Sequence, residues 1–175
     1  MSMAVERLRS LIKSSGKTGY KASIYISTLA KLASLASESL EMVRKARCLA
    51  ASKGKCRSSG SANFCVVGCA HINYLEYEGR SIIWKYKSGT GSIIIEESRL
   101  EFNTSKAKLI LEPRKLVVTL SSYGGGVASE VDITNVDEVI KHNYDIRVAH
   151  REASSLVSNI SRNLTMCARA SALTC

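Results

Sequence analysis

The 175-residue chain contains no glutamine, one proline, one tryptophan and two phenylalanines, and its first 60 residues hold only three acids: Glu6, Glu38 and Glu41. Each scarcity excludes something. A single Pro with 45% hydrophobic residues is not the composition of a long disordered or linker-like chain. No run of about 18 apolar residues occurs, because Lys21, Lys31 and Glu38 interrupt the most hydrophobic early stretch, so no membrane-spanning helix and no membrane partner are expected. Behind Arg7 and Arg9 the sequence is amphipathic and soon reaches Lys13, which makes no signal-peptide core and leads to an expectation of cytoplasmic residence. The missing Gln together with six cysteines follows trends described for hyperthermophiles, against which the seven Asn count. A thermophilic archaeal or viral source is the corresponding expectation.

The shortage of early acids has the largest consequence. Twelve Lys and Arg face three acids up to residue 60, a net +9, whereas the remaining 13 basic and 12 acidic residues leave +1 of the total +10. A local excess of this size is the electrostatic footprint of an anionic partner, most simply the phosphates of nucleic acid. A solvated helix face is the alternative reading of a charge run, but such faces normally mix signs.

Helical spacing of Ala4, Val5, Leu8, Leu11 and Ile12 predicts a short first helix, stopped near Gly16. A second, much longer helix follows from the stripe Ala22, Ile26, Leu29, Ala33, Ala36, Leu40, Val43 and Ala50, ending before Gly54. Its small residues, Ala30, Ala33, Ser34 and Ser37, would let a partner helix approach closely. Arg44, Lys45, Arg47, Lys53, Lys55 and Arg57 gather at its C-terminal end, where cations also suit the macrodipole. Ser58 to Asn63 reads as a flexible loop.

From residue 63 to 133 the period changes to two. Short segments rich in Val, Ile, Leu and Tyr are separated by turn formers such as Glu78-Gly79 and Ser88-Gly89-Thr90-Gly91, the pattern of an antiparallel meander. Eight strands are predicted: 64–69, 71–77, 81–87, 92–97, 99–103, 108–112, 115–121 and 127–133. In the third, Ile82, Trp84 and Tyr86 share one face while Ile83, Lys85 and Lys87 share the other. With Tyr74 and Tyr77 nearby, exposed rings there would stack on unpaired bases; core packing is the competing use. Asn135 caps a short helix with Asp137 and Glu138 in its first turn, and a longer helix runs from about 145 to 170.

Several motifs resemble chemistry without supporting it. Ser15-Gly16-Lys17-Thr18 looks like the end of a phosphate-binding loop, but Leu11 stands where a Gly is needed and the preceding segment is helical. Tyr123-Gly124-Gly125-Gly126 lacks the following helix that would make an anion site. Cys65, Cys69 and His71 lack the knuckle spacing of structural zinc, and a strand would hold the two thiols about 13 Å apart. Disulfides between distant segments are the stronger use of the cysteines, with Cys167 and Cys175 stapling the C-terminal helix or tail to the Cys48–Cys69 region, unless Cys65, Cys69 and Cys167 simply fill the core. His71, His142 and His150 have no defining spacing to a nucleophile or acid.

Together these features predict an α+β protein: an N-terminal helical hairpin with a long basic helix (residues 1–60), a central antiparallel meander, and C-terminal helices packed on the sheet (61–175), the two lobes forming one compact domain. The expected function is non-enzymatic, sequence-tolerant nucleic-acid binding within a larger assembly, without metal or cofactor. RNA or single-stranded DNA is slightly favoured. Phosphates would be contacted by Arg44, Lys45, Arg47, Lys53, Lys55 and Arg57, and bases stacked on Trp84 and Tyr86. The alternative is an assembly protein that self-associates, or meets an acidic protein, through its Ala/Ser-rich helices.

Overall fold

The computed structural model describes residues 3–14, 19–53, 55–60, 62–85, 91–121, 126–171 and 175. Two helices, α1 (Met3–Ser14) and α2 (Tyr20–Lys53), precede nine strands: β1 (Lys55–Ser59), β2 (Ala62–Val67), β3 (Ile72–Tyr77), β4 (Arg80–Lys85), β5 (Gly91–Ile95), β6 (Leu100–Thr104), β7 (Ala107–Leu111), β8 (Lys115–Leu120) and β9 (Ala128–Asp132). Helices α3 (Val136–Lys141) and α4 (Asn143–Ala170) close the chain. The strands form one sheet in sequence order, every neighbour antiparallel. The phosphate-loop-like string at 15–18 lies outside the described residues.

Sheet register assigns the two faces. Cys65, Tyr74, Ile83, Ile93, Phe102, Leu109 and Val118 stand opposite one another across seven strands and point to the helices. All seven are at most 5% exposed. Period-two alternation sends Phe64, Leu75, Ile82, Ile94, Glu101, Ile110 and Val117 to the other face. On the covered face α2 packs over β1 to β3, α4 over β6 to β8, and α3 against β9, while α1 packs on α2. One continuous buried cluster joins the helices to the sheet.

Helix α2 departs from the expected single stripe. Tyr25, Leu32, Leu35, Met42, Ala46 and Leu49 form a second buried set beside Leu29, Ala33, Ala36, Val43 and Ala50. The physical reason is that α2 meets the sheet, α1 and α4 at once. Its buried hydroxyls are satisfied locally, Thr28 Oγ1 donating to the Ile24 carbonyl (2.9 Å) and Ser39 Oγ to that of Leu35 (2.7 Å). The Tyr25 hydroxyl donates to the Ile133 carbonyl at 2.6 Å, tying α2 to the exit of the sheet. Contacts Thr28–Asn143, Lys31–His150 and Lys45–Thr165 advance together along both helices, so α2 and α4 run parallel.

Turns follow local chemistry. Glu78 and Gly79 both have positive φ (45° and 74°) in the two-residue connection between β3 and β4, the primed geometry that matches strand twist. Gly91 has φ +146°, and a Cβ there would run into the Asn103 carbonyl. Asn135 caps α3 by accepting from the Glu138 N–H, and the Glu138 carboxylate returns to accept from the Asp132 N–H at 2.8 Å.

Three expectations are corrected. Ser58 and Ser59 are not loop but pair with Asn63 and Ala62 in the hairpin of β1 and β2, and Gly60 has φ +59°. Lys55 and Arg57 therefore sit on an edge strand instead of the end of α2. Cys69 lies beyond β2 in the turn at 68–71, so Cys65 and Cys69 do not share a strand. Ala30 and Ser34 are exposed while Ala33 is buried, so the four small residues do not form one packed face.

The six cysteines stand pairwise in bonding position: Cys48 with Cys175 (Cα–Cα 5.9 Å), Cys56 with Cys65 (4.1 Å) and Cys69 with Cys167 (5.7 Å). Both C-terminal cysteines thus reach the Cys48–Cys69 region. Peptide mapping of protein with thiols trapped at lysis should recover these three pairs, with no stoichiometric zinc by elemental analysis. Replacing Cys69 and Cys167 together by Ser should cost about 2–4 kcal/mol of unfolding free energy, because the link restrains a long loop in the unfolded chain. In addition, Ala33→Leu should overpack the buried side of α2 and cost about 1–3 kcal/mol, read as a lower melting temperature; an unchanged melting temperature would show that this wall yields.

Candidate nucleic-acid interface

The fold divides the six basic residues into two groups. On α2, Arg44 is exposed and held by Glu41 in a two-point ion pair (3.0 and 2.6 Å), and Lys45 is half-buried with Nζ 3.3 Å from Thr165 Oγ1 of α4. Arg47 donates to both Glu76 oxygens at 3.1 Å and to the Tyr74 hydroxyl at 3.3 Å. Lys53 ends the helix. On the other side of the sheet, Arg57 stands opposite Phe64 and Lys55 opposite Val66. Both cations point to the uncovered face, and among the described residues no carboxylate pairs with either.

The aromatic residues divide likewise. Tyr74 is 2% exposed on the helix side, its hydroxyl donating to Glu76, and burial pushes its phenol above the ordinary value. It is a core residue and is removed from the stacking surface. Trp84 is half-buried on the uncovered face, where its ring centroid lies 6.0 Å from that of Phe64, two strands away. Asn73, flanked across the ladder by Val66 and Trp84, is only 9% exposed. Tyr77 shares this face with Arg80, whose guanidinium lies 5.6 Å from the ring centroid, donates to the hydroxyl at 2.9 Å and pairs with Glu96 at 2.8 Å. Tyr86 lies outside the described residues.

The far half of the same face is electrically self-contained. Glu101, 8% exposed, receives Arg99 at 3.1 Å and Lys108 at 3.6 Å, Arg99 also reaches Glu112, and Lys115 lies between Glu112 and Glu130. On the uncovered face, among the described strand residues, the cations without a carboxylate partner are Lys55 and Arg57 of β1, on the half that holds Phe64 and Trp84. Phe64 escaped the sequence reading, although its alternation with Cys65 was visible there.

The three histidines are dispersed: His71 in the β2–β3 turn, His142 between α3 and α4, and His150 on α4. His150 Nε2 lies 3.2 Å from the Lys31 carbonyl oxygen and donates to it across the helix pair. Burial holds this imidazole below its ordinary value, since charging it there forfeits hydration. Comparison with protein-family models, with curated proteins and with solved structures finds no match to this chain.

His150 generates a pH dependence. Its folded pKa is depressed below the ordinary 6.5, so the unfolded chain binds more protons once pH falls through 6.5. The stability contributed by neutral His150 is present above that pH and is lost as pH falls toward the folded value. Histidine NMR titration should place the His150 midpoint below 6.5, and His150→Gln should reduce the acid loss of stability in this window.

Proposed function

We propose that the protein is a non-enzymatic, largely sequence-tolerant binder of single-stranded nucleic acid, acting as a subunit of a larger assembly. The observation that carries this reading is the meeting of unpaired Lys55 and Arg57 with the Phe64–Trp84 ring pair on an uncovered sheet face. Cations aligned along an edge strand suit a phosphate backbone, and adjacent rings suit the flat faces of unpaired bases, which a duplex would keep stacked inside. The net charge of +10 attracts the strand from a distance, and the local unpaired charge decides where it settles.

Arg44, Lys45 and Arg47 contribute less in this reading than their number suggests, since each already has a protein partner. The assembly component rests on the apolar run Leu75, Ile82 and Ile94 across three neighbouring strands of the same face, which ends at Glu101. Self-association through the small helix residues is the weaker alternative, because, of Ala30, Ala33, Ser34 and Ser37, only Ala30 and Ser34 are exposed and Ala33 is already buried within the chain.

Fluorescence anisotropy with labelled oligouridine, oligothymidine and a duplex tests the proposal. Single strands should bind more tightly than the duplex, and affinity should fall steeply with salt. Replacing all six of Arg44, Lys45, Arg47, Lys53, Lys55 and Arg57 by Ala should abolish binding. Lys55→Ala/Arg57→Ala should alone account for most of the loss, flattening the logarithmic salt dependence by about 0.7 for each phosphate contact removed. Trp84 is the single tryptophan, so its fluorescence should be quenched as bases stack. Wild-type affinity in the Lys55/Arg57 variant, or a strand that binds without touching the Trp84 signal, would remove the sheet face as the site.

A further inference from the structure

The parallel pair α2 and α4 leaves a groove on its outer side, and the charge of that groove changes along its length. Toward the C-terminal ends it is lined by Glu38 and Glu41 on α2 against Arg162 and Arg169 on α4, a mixed wall. Toward the N-terminal ends lies a cavity of about 380 Å³ lined by Lys31, Tyr144, Arg147, His150 and Arg151. It adjoins a second of about 250 Å³ that shares Lys31 and Arg147 and adds Ser27, Thr28 and Asn143. Among the described residues no carboxylate lines either cavity, and none pairs with Lys31, Arg147 or Arg151.

Elsewhere the chain neutralises many of its clustered cations, as in Arg44–Glu41, Arg47–Glu76 and Lys115–Glu112. Here it does the reverse. Arg147 and Arg151 are one turn apart on α4, an arrangement in which like charges repel, and Lys31 faces them from α2. Two hydrogen bonds tie the helices together beside this cluster, from His150 to the Lys31 carbonyl and between Thr28 and Asn143. Half-buried His150 stays neutral and adds no charge of its own. Hydroxyl and amide groups of Tyr144, Ser27 and Asn143 complete a wall of hydrogen-bonding groups around a positive centre.

The geometry points to this N-terminal half of the α2–α4 groove as a binding site for a compact polyphosphate-bearing ligand. Arg147 and Arg151 are separated by about 6 Å along the helix axis, enough for a short run of linked phosphates and too little to track a nucleic-acid strand. Beyond them Glu38 ends the positive stretch, which sets the length of anion the groove accepts. The site lies on the helical side of the protein and uses none of the residues of the sheet face.

Titration calorimetry of the folded chain with inorganic tripolyphosphate at low ionic strength should show saturable binding of a single ligand per chain. Arg147→Ala/Arg151→Ala should weaken it by at least about tenfold, as expected for loss of charge-assisted hydrogen bonds. Lys55→Ala/Arg57→Ala should bind tripolyphosphate as wild type does. All four side chains are exposed, so unchanged melting temperatures will show that the variants fold. No binding by wild type, or equal binding by the Arg147/Arg151 variant, overturns the proposal. So does a stoichiometry of several ligands per chain, which would mark diffuse attraction to the net charge. Loss of oligonucleotide binding in the Arg147/Arg151 variant, with no wild-type binding of tripolyphosphate, would reassign the groove to the nucleic-acid path and equally overturn it.

Discussion

A sheet made only of neighbouring hairpins leaves no helix between its strands, so every helix that covers it must come from the two ends of the chain. In this protein nine strands follow one another without a crossover, and α1 and α2 arrive from one end while α3 and α4 leave from the other. Both groups pack on the same face. Two features follow directly: α2 and α4 meet over the sheet and create a groove, and among the described residues no helix packs on the opposite face. The two candidate binding surfaces are therefore consequences of the meander.

The same topology explains where the cross-links stand. Contacts between the chain's ends close loops of about a hundred residues, and their entropy is not repaid until the sheet is complete. Cys48–Cys175 and Cys69–Cys167, separated by 127 and 98 residues, both join the first half of the chain to its last helix or tail. Cys56–Cys65 acts locally, fixing the register of the edge strand β1 on β2. Without it, Lys55-Cys56-Arg57-Ser58-Ser59 has little intrinsic reason to be a strand, since it contains no β-branched or aromatic residue.

What could be read from sequence were features with a local cause. The Asn135 cap, the extent of α4, the end of α2 before Gly54 and the alternation in Leu116, Val118 and Leu120 each depend on spacing within a few residues. The return of Cys167 and Cys175 to the Cys48–Cys69 region was also legible, although the individual pairs were not. Strand β1 was hidden because its five residues lack β-branched and aromatic side chains, and the second buried set on α2 because it depends on distant partners. Charge was legible as a sum and misleading as a site: Glu76 reaches Arg47 from 29 residues away and compensates its charge. The near-neutral sum over residues 61–175 likewise concealed Arg147 and Arg151, because Asp145 and Glu152 beside them in sequence offset their charge in the sum without lining the cavity.

Two unpaired cationic sites thus occur on opposite sides of the protein, and their surroundings differ in kind. Lys55 and Arg57 border apolar rings on an open surface, which suits an extended ligand whose charge lies along one edge and whose flat groups lie beside it. Lys31, Arg147 and Arg151 converge within one helical turn of each other among hydroxyls and amides, which suits a small ligand whose charge is concentrated. A ligand occupying both would have to pass around the helical layer and the sheet edge, crossing the compensated ion pairs of Arg44 and Arg47. Because those pairs offer little uncompensated charge along the way, electrostatics alone does not connect the two candidate sites.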